Sequence, residues 1–218
     1  MGVGIMNKRI IFTIVMFWRC IVADMFFLLS NSDMKETIKQ DIYRLLKWDK
    51  LYNEKKNGIL FWLNYSLLCE ISFRSVFYYR MEKFKILRLI NGIFLQRPKT
   101  IEICAEEFIG KGMVVFHNHS VISVRSAGNN FRVGPGVVIG RKGPDKNGII
   151  PHFPKIGNNV YIAANSTVIG EISIGDNVII GAGSVVTKDI PSNSVYVGNP
   201  AKFIKKIDSN SELWQEII

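Results

Sequence analysis

The stretch that decides the fold runs from Ile156 to Ile190: IGNNVYIAANSTVIGEISIGDNVIIGAGSVVTKDI. An aliphatic residue falls at every sixth place, at Ile156, Ile162, Val168, Ile174, Ile180 and Val186. Gly or Ala often comes next, as at Gly157, Ala163, Gly175 and Gly181, and a small or β-branched residue usually stands four places on, as at Val160, Ser166, Val178 and Ser184. A period of six is neither the 3.6 of a helix nor the alternation of a lone strand. It marks a repeat in which each unit is one short strand and one turn. Three units make a triangular coil of about 18 residues, and coils stack into a parallel β-helix. One coil cannot bury its own inward residues. Stacking is therefore expected to set Ile162 over Ile180, Ile156 over Ile174 and Val168 over Val186.

Working outward, the same phase runs back from Ile139 through Val133, Ala127, Val121, Val115, Ile109 and Ile103. It breaks once, between Ile139 and Ile156, which are 17 residues apart. The intervening RKGPDKNGIIPHFPK is rich in Lys, Gly and Pro and reads as a loop, residues 140–155, extruded from a coil. The β-helix is expected over 101–200. Beyond it, residues 201–218 read as a short basic turn and a terminal helix.

The N-terminal part reads differently. Residues 1–33 form an apolar extension. Its run IIFTIVMFWRCIVADMFFLL, residues 10–29, has the length of a membrane span, but Arg19 and Asp24 lie inside it and are costly at that depth. The favoured readings are a peripheral helix or a translation start at Met34. Residues 34–100 read as a helical domain. Ile38, Ile42, Leu45 and Leu46 make an apolar stripe, with Asp33 as N-cap and Glu36 three places on. Residues 59–90 read as one or two aromatic-rich helices.

Charge is divided as sharply as pattern. The chain of 218 residues carries a formal +10, of which residues 1–100 hold 17 Lys and Arg against 8 Asp and Glu, and residues 101–218 hold 11 against 10. The basic N-terminal part suits an anionic membrane surface or an anionic partner. No nucleic-acid-binding motif is present, so DNA and RNA are not expected partners. Cys20, Cys69 and Cys104 fit no metal or redox spacing and read as reduced thiols in a cytoplasmic protein.

Helices followed by this repeat and by GAGSVVTKDIPSNSVYVGNPAKFIKKI resemble the hexapeptide-repeat acyltransferases, and among them the serine O-acetyltransferases. The segments that carry the resemblance are IEICAEEFIGKGMVVFH (Ile101 to His117), PHFPKIG (Pro151 to Gly157) and the C-terminal coils. Phe73-Arg74 and Phe77-Tyr78-Tyr79-Arg80 are similar to the variant found in bacterial surface-polysaccharide gene clusters. The resemblance implies a left-handed β-helix assembled as a homotrimer or a dimer of trimers. It also implies transfer of acetyl from acetyl-CoA to a hydroxyl, without a metal.

A hydroxyl attacking a thioester needs a base, and histidine titrates in the right range. The chain has three: His117, His119 and His152. By the family motif His117 is the base, and Glu102, 15 residues earlier, occupies the position of the acid that orients it. The two are expected to meet across adjacent coils. His152 lies in the loop where the family places a second histidine that serves the neighbouring subunit's acceptor. His119 falls on a position that normally points inward and is expected to be buried. The three histidines also raise a zinc site, but His117-x-His119 on a strand would place the two on opposite faces. Phe116 stands where true serine acetyltransferases carry the aspartate that holds the amino acid. A phenyl ring cannot pair with an ammonium, which favours a sugar hydroxyl as acceptor. On the donor side the resemblance implies coenzyme contacts at Ala164, Ala182, Thr187, Lys188 and Lys205, with the lysines on the phosphates. Two alternatives stand beside the sugar reading: L-serine acetylation for cysteine synthesis, and an inactive β-helix scaffold.

Overall fold

The computed structural model describes residues 2–47, 57–117 and 119–207. The chain divides into two compact units, Met1–Lys99 and Thr100–Ile218.

The first unit is helical: α1 (Gly2–Met16), a 3-10 turn at Phe17–Cys20, α2 (Ile21–Leu29), α3 (Ser32–Lys47), α4 (Ile59–Cys69), α5 (Ile71–Arg80) and α6 (Lys85–Phe94). The aromatic-rich stretch is thus three helices rather than one or two. The apolar extension is not an appendage, because Cys20, Ala23, Phe26 and Phe27 enter one core with Ile38, Ile42, Leu46, Leu63, Leu67 and Phe77. The two charges inside its apolar run, residues 10–29, are turned to polar partners. Arg19 Nε donates to the Phe94 carbonyl at 2.9 Å, and Asp24 accepts from Asn64 at 3.2 Å. Helix α3 is capped by Asn31, whose Oδ1 accepts from the Met34 N–H at 2.9 Å, not by Asp33 as the sequence suggested. A buried fork joins α3 to α5: Arg80 donates to both carboxylate oxygens of Asp41, at 2.9 and 3.2 Å.

The second unit is a parallel β-helix of five coils, each with three faces. The first face stacks the starts of β1 (Ile101–Ile109) and β3 (Ser120–Ala127) with β5 (Val138–Gly140), β8 (Thr167–Ile169) and β11 (Val185–Val186). The second stacks the ends of β1 and β3 with β6 (Lys155–Ile156), β9 (Ser173–Ile174) and the Ile190 bridge. The third stacks β2 (Val114–Val115), β4 (Arg132–Val133), β7 (Val160–Ile162), β10 (Val178–Ile180) and β12 (Ser194–Val197). Ile162 lies over Ile180, Ile156 over Ile174 and Val168 over Val186, as the period requires. All six are buried, each worth about 1.5–3 kcal/mol of apolar transfer.

The repeat departs from the predicted phase at one place. Val121 is 39% exposed, and its neighbour Ile122 is buried instead, level with Ile139. The corner before β3 holds one residue more than the equivalent corners of the later coils, so the inward position slips by one. It recovers at Ala127 because β3 rounds the next edge with one residue fewer than β1, where the register shifts between Ala105 and Phe108.

The edge between the second and third faces shows why these residues turn where they do. The last four coils place a polar pair there: Asn129-Asn130, Asn158-Asn159, Asp176-Asn177 and Ser192-Asn193. The second member always has positive φ, between 54° and 60°, a conformation Asn tolerates better than most residues. Its amide donates to the next Asn in the stack, at 2.8, 2.9 and 2.7 Å. The first member accepts a backbone N–H from the preceding coil. The ladder also measures the loop. Asn130 and Asn159 are 29 residues apart yet bonded, against 18 for Asn159 and Asn177. Residues 141–154 therefore bulge from the coil without disturbing the stack.

After β12 the chain reverses. The basic segment expected as a turn is β13 (Lys202–Lys206), antiparallel to β12. The predicted terminal helix lies outside the described residues.

Candidate active site

Beyond its first coil, the edge between the third and first faces is built mainly from Gly and Ala. Phe116, Gly134, Ala163 and Gly181 occupy equivalent places, each following an inward aliphatic. The first three donate their backbone N–H to the next coil, at Val133, Ile162 and Ile180. One residue on, His117, Pro135, Ala164 and Ala182 form the next column. Asn165 N–H bonds the Pro135 carbonyl and Gly183 N–H the Ala164 carbonyl, which ties the column together. Gly134 is required by this approach, since a Cβ there would lie 2.6 Å from the Ala164 nitrogen. With coils about 4.8 Å apart, His117 stands roughly 10 Å from Ala164 and 14 Å from Ala182 along one edge.

His117 and His119 both have positive φ, 56° and 71°, and both are exposed. For a residue other than Gly or Asn this backbone is costly, and such residues gather at functional sites. His119 is therefore not the buried residue expected, because the extra residue in this corner turns it outward. Nor do the two histidines alternate across a strand, since both sit in the turn. Among the described residues no three His, Cys, Asp or Glu side chains gather where they could hold a metal.

Glu102 is exposed on the outer side of the first face, level with Val121, four residues past His117. The two thus flank the same edge on neighbouring strands. Among the described residues no hydrogen bond joins them, so the expected contact is not formed in this conformation.

Phe116 is placed by partners that the sequence reading missed. The Arg132 guanidinium lies 4.6 Å from the Phe116 ring and 5.3 Å from the Tyr161 ring, each contact worth about 0.5–2 kcal/mol. Arg132 and Tyr161 are in register on the third face. Burial pulls the guanidinium below its ordinary pKa, against a smaller opposing effect of Tyr161, but arginine stays charged. A cation therefore stands beside the residue before His117. The signal was available: Val114, Arg132 and Tyr161 each precede an inward aliphatic, so all three must share one outer column.

His152 lies elsewhere. The loop leaves the edge between the first and second faces, where His152 Nδ1 pairs with Glu106 at 2.7 Å and Arg141 stands 3.9 Å from the same carboxylate. Beside it Arg125 donates to Glu107 and holds that carboxyl below the usual range. Thr187 and Lys188 follow Val186 at this second edge, and Lys205 lies on β13 beside Val195 of the third face. The chain thus unites His117, Ala164 and Ala182, and separates them from His152, Thr187, Lys188 and Lys205.

Known proteins share this fold. Residues 153–188 match the bacterial transferase hexapeptide (six repeats) family. That segment, from the loop end to just past β11 of the last coil, carries the hexapeptide repeat. The chain is similar to serine acetyltransferase 1 (chloroplastic) of Arabidopsis thaliana, 41% identical over 122 residues, which cover 55% of this chain and 38% of that protein. It is similar to the putative colanic acid biosynthesis acetyltransferase WcaB of Escherichia coli K12, 40% identical over 103 residues, 46% of this chain and 61% of that one. The crystal structure of Neisseria gonorrhoeae serine acetyltransferase superposes with a TM-score of 0.62 at 26% identity, covering 85% of this chain and 70% of that chain. The matched segments thus cover 38% of two Arabidopsis serine acetyltransferases and 61% of WcaB, less than two thirds of each. The hexapeptide repeat now accounts for the small residues of the His117 edge: they let successive coils close up without side chains intervening.

Proposed function

We propose that this protein is an acetyl-CoA-dependent O-acetyltransferase acting on a hydroxyl of a sugar or polysaccharide precursor, with His117 as general base. The observation that carries the reading is the exposed, left-handed His117 at the head of the Ala164 and Ala182 column. A donor lying along that edge meets small side chains and brings its thioester to the imidazole. The acceptor oxygen attacks the thioester carbonyl as its proton passes to His117. The tetrahedral intermediate then expels the thiolate, which takes that proton back. Glu102, on the next strand, would orient the imidazolium by a side-chain rotation.

Thr187, Lys188, Lys205 and His152 stand on other parts of the prism, so this reading draws them from a neighbouring copy. That is the homotrimer, or dimer of trimers, with sites in the clefts between β-helices. The setting we infer is the cytoplasm or the inner face of a membrane.

For the acceptor, the Arg132 guanidinium beside Phe116 disfavours an ammonium and tolerates neutral or acidic sugars. The name of WcaB, colanic acid biosynthesis, agrees. L-Serine is the second reading, favoured by the names of the Arabidopsis and Neisseria relatives. The test is thiol release from acetyl-CoA with serine and a panel of sugars side by side. His117→Ala is expected to lower kcat by about 10²–10⁴ with an unchanged melting curve. Unaltered turnover in that variant would remove His117 as base. Turnover with serine alone would overturn the sugar reading, and silence without coenzyme binding would leave a scaffold.

A further inference from the structure

Helix α6 is mounted with its polarity reversed. Its buried residue is Asn91, while Ile86, Leu89 and Ile93 are 76%, 74% and 76% exposed. These fall at i, i+3 and i+7, the stripe an ordinary helix would bury. A second apolar band lies on α1, the 3-10 turn and α2, where Ile11, Val15, Trp18, Ile21 and Leu29 face outward although the opposite side enters the core. The bands meet where Trp18 packs edge-on against Phe94, with ring centroids 6.5 Å apart. A soluble surface rarely keeps so large a continuous patch uncovered.

What covers it is indicated by charge. Residues 82–99 hold Lys83, Lys85, Arg88, Arg97 and Lys99 against the lone acid Glu82. Two open clefts flank α6 and share Gly92 and Arg97. One, of about 500 Å³, is lined by Arg74, Gln96 and Lys99, and the other by Lys85 and Arg88. A second copy docked face to face would bring this cationic rim against itself. A transmembrane course is disfavoured because Cys20, Val22, Ala23, Phe26 and Phe27 are already buried against protein. Apolar stripes rimmed by Lys and Arg, with a Trp between them, are the pattern of a helix lying in a lipid interface.

We propose that the helical unit docks on an anionic phospholipid surface, with Trp18, Leu89 and Ile93 in the acyl boundary and the basic clefts on the phosphates. The test is co-sedimentation of the full chain with vesicles of phosphatidylcholine alone or mixed with phosphatidylglycerol. Partition into the anionic vesicles should exceed that into neutral ones by at least about tenfold and fall with salt. Leu89→Glu with Ile93→Glu, at exposed sites the fold does not need, should reduce it by about tenfold or more. Lys83→Gln with Lys85→Gln and Lys99→Gln leaves the apolar face intact and should remove much of the salt dependence. Brominated lipid should quench the wild-type fluorescence and leave Trp18→Phe nearly unquenched. Absence of partition, or partition indifferent to both the lipid charge and the Leu89 and Ile93 substitutions, overturns the proposal. So does self-association without lipid that those two substitutions abolish, which would make the occupant a second copy.

Discussion

Asp24 is a carboxylate placed where a carboxylate is uncomfortable. Burial pushes its pKa up, and the single bond from Asn64 only partly opposes this. Its other oxygen is buried without a hydrogen-bond partner. The folded chain holds the proton more tightly than the unfolded chain. The stability Asp24 contributes is therefore fully present below its unfolded pKa and is lost as pH rises through the raised folded value. Asp24→Asn is expected to melt higher than the wild type near neutral pH, with the gap closing in acid; a gap that widens in acid would show the opposite shift. The cysteines offer a second check at this scale. The Cys20 thiol is pushed up to about 12, mainly by burial, whereas Cys104 is exposed. A thiol reagent should modify Cys104 promptly and Cys20 only as the protein unfolds. Residues like these were the least legible from sequence. Arg19 and Asp24 could be seen to be costly in an apolar run, but nothing in the run showed that each would turn inward to a polar partner. His119 was misread for a related reason: one added residue in a corner reverses a side chain, and no pattern announces it.

At the scale of elements, the fork between Asp41 and Arg80 fixes α3 against α5 with side chains only 1% and 5% exposed. Asp41→Ala leaves a buried guanidinium uncompensated and should cost about 3–5 kcal/mol in a denaturant titration. Replacing both partners by Leu and Met should cost much less, since the charge leaves with its partner. In the β-helix, Gly134→Val would press a side chain onto the Ala164 backbone and should cost about 1–3 kcal/mol. The strand positions were legible because a period of six admits one inward column per face, and a polar residue followed by Asn recurs in the last four coils at one edge. The strand pairings followed from that count. The helices were less legible. α6 is amphipathic by its sequence, yet its stripe faces away from its own unit, and amphipathicity alone does not say which solvent the apolar side has chosen.

Across the whole molecule, the two units draw on different physics. The helical unit is specified by aromatic packing and a few buried polar pairs, the β-helix by identical short units that need only their neighbours. The loop of residues 141–154 shows how loosely the second kind is constrained. Replacing residues 143–150 by a short Gly-Ser turn should change stability by less than about 1 kcal/mol, while turnover falls as His152 loses its placement. The candidate site was half legible for the same reason. Columns along one edge can be counted, but residues on different edges meet only through a neighbour that no single sequence displays. Repetition also has a cost at its ends. A stack of parallel strands presents unpaired backbone after its last member and would welcome another chain there. Here β13, the last strand among the described residues, runs the opposite way and carries Lys202, Lys205 and Lys206, all exposed. Reversal spoils the register for a further parallel coil, and three like charges repel an identical strand. The tail therefore acts as a terminator. Without it, a fold that keeps each molecule in order would supply the template for joining molecules into fibres.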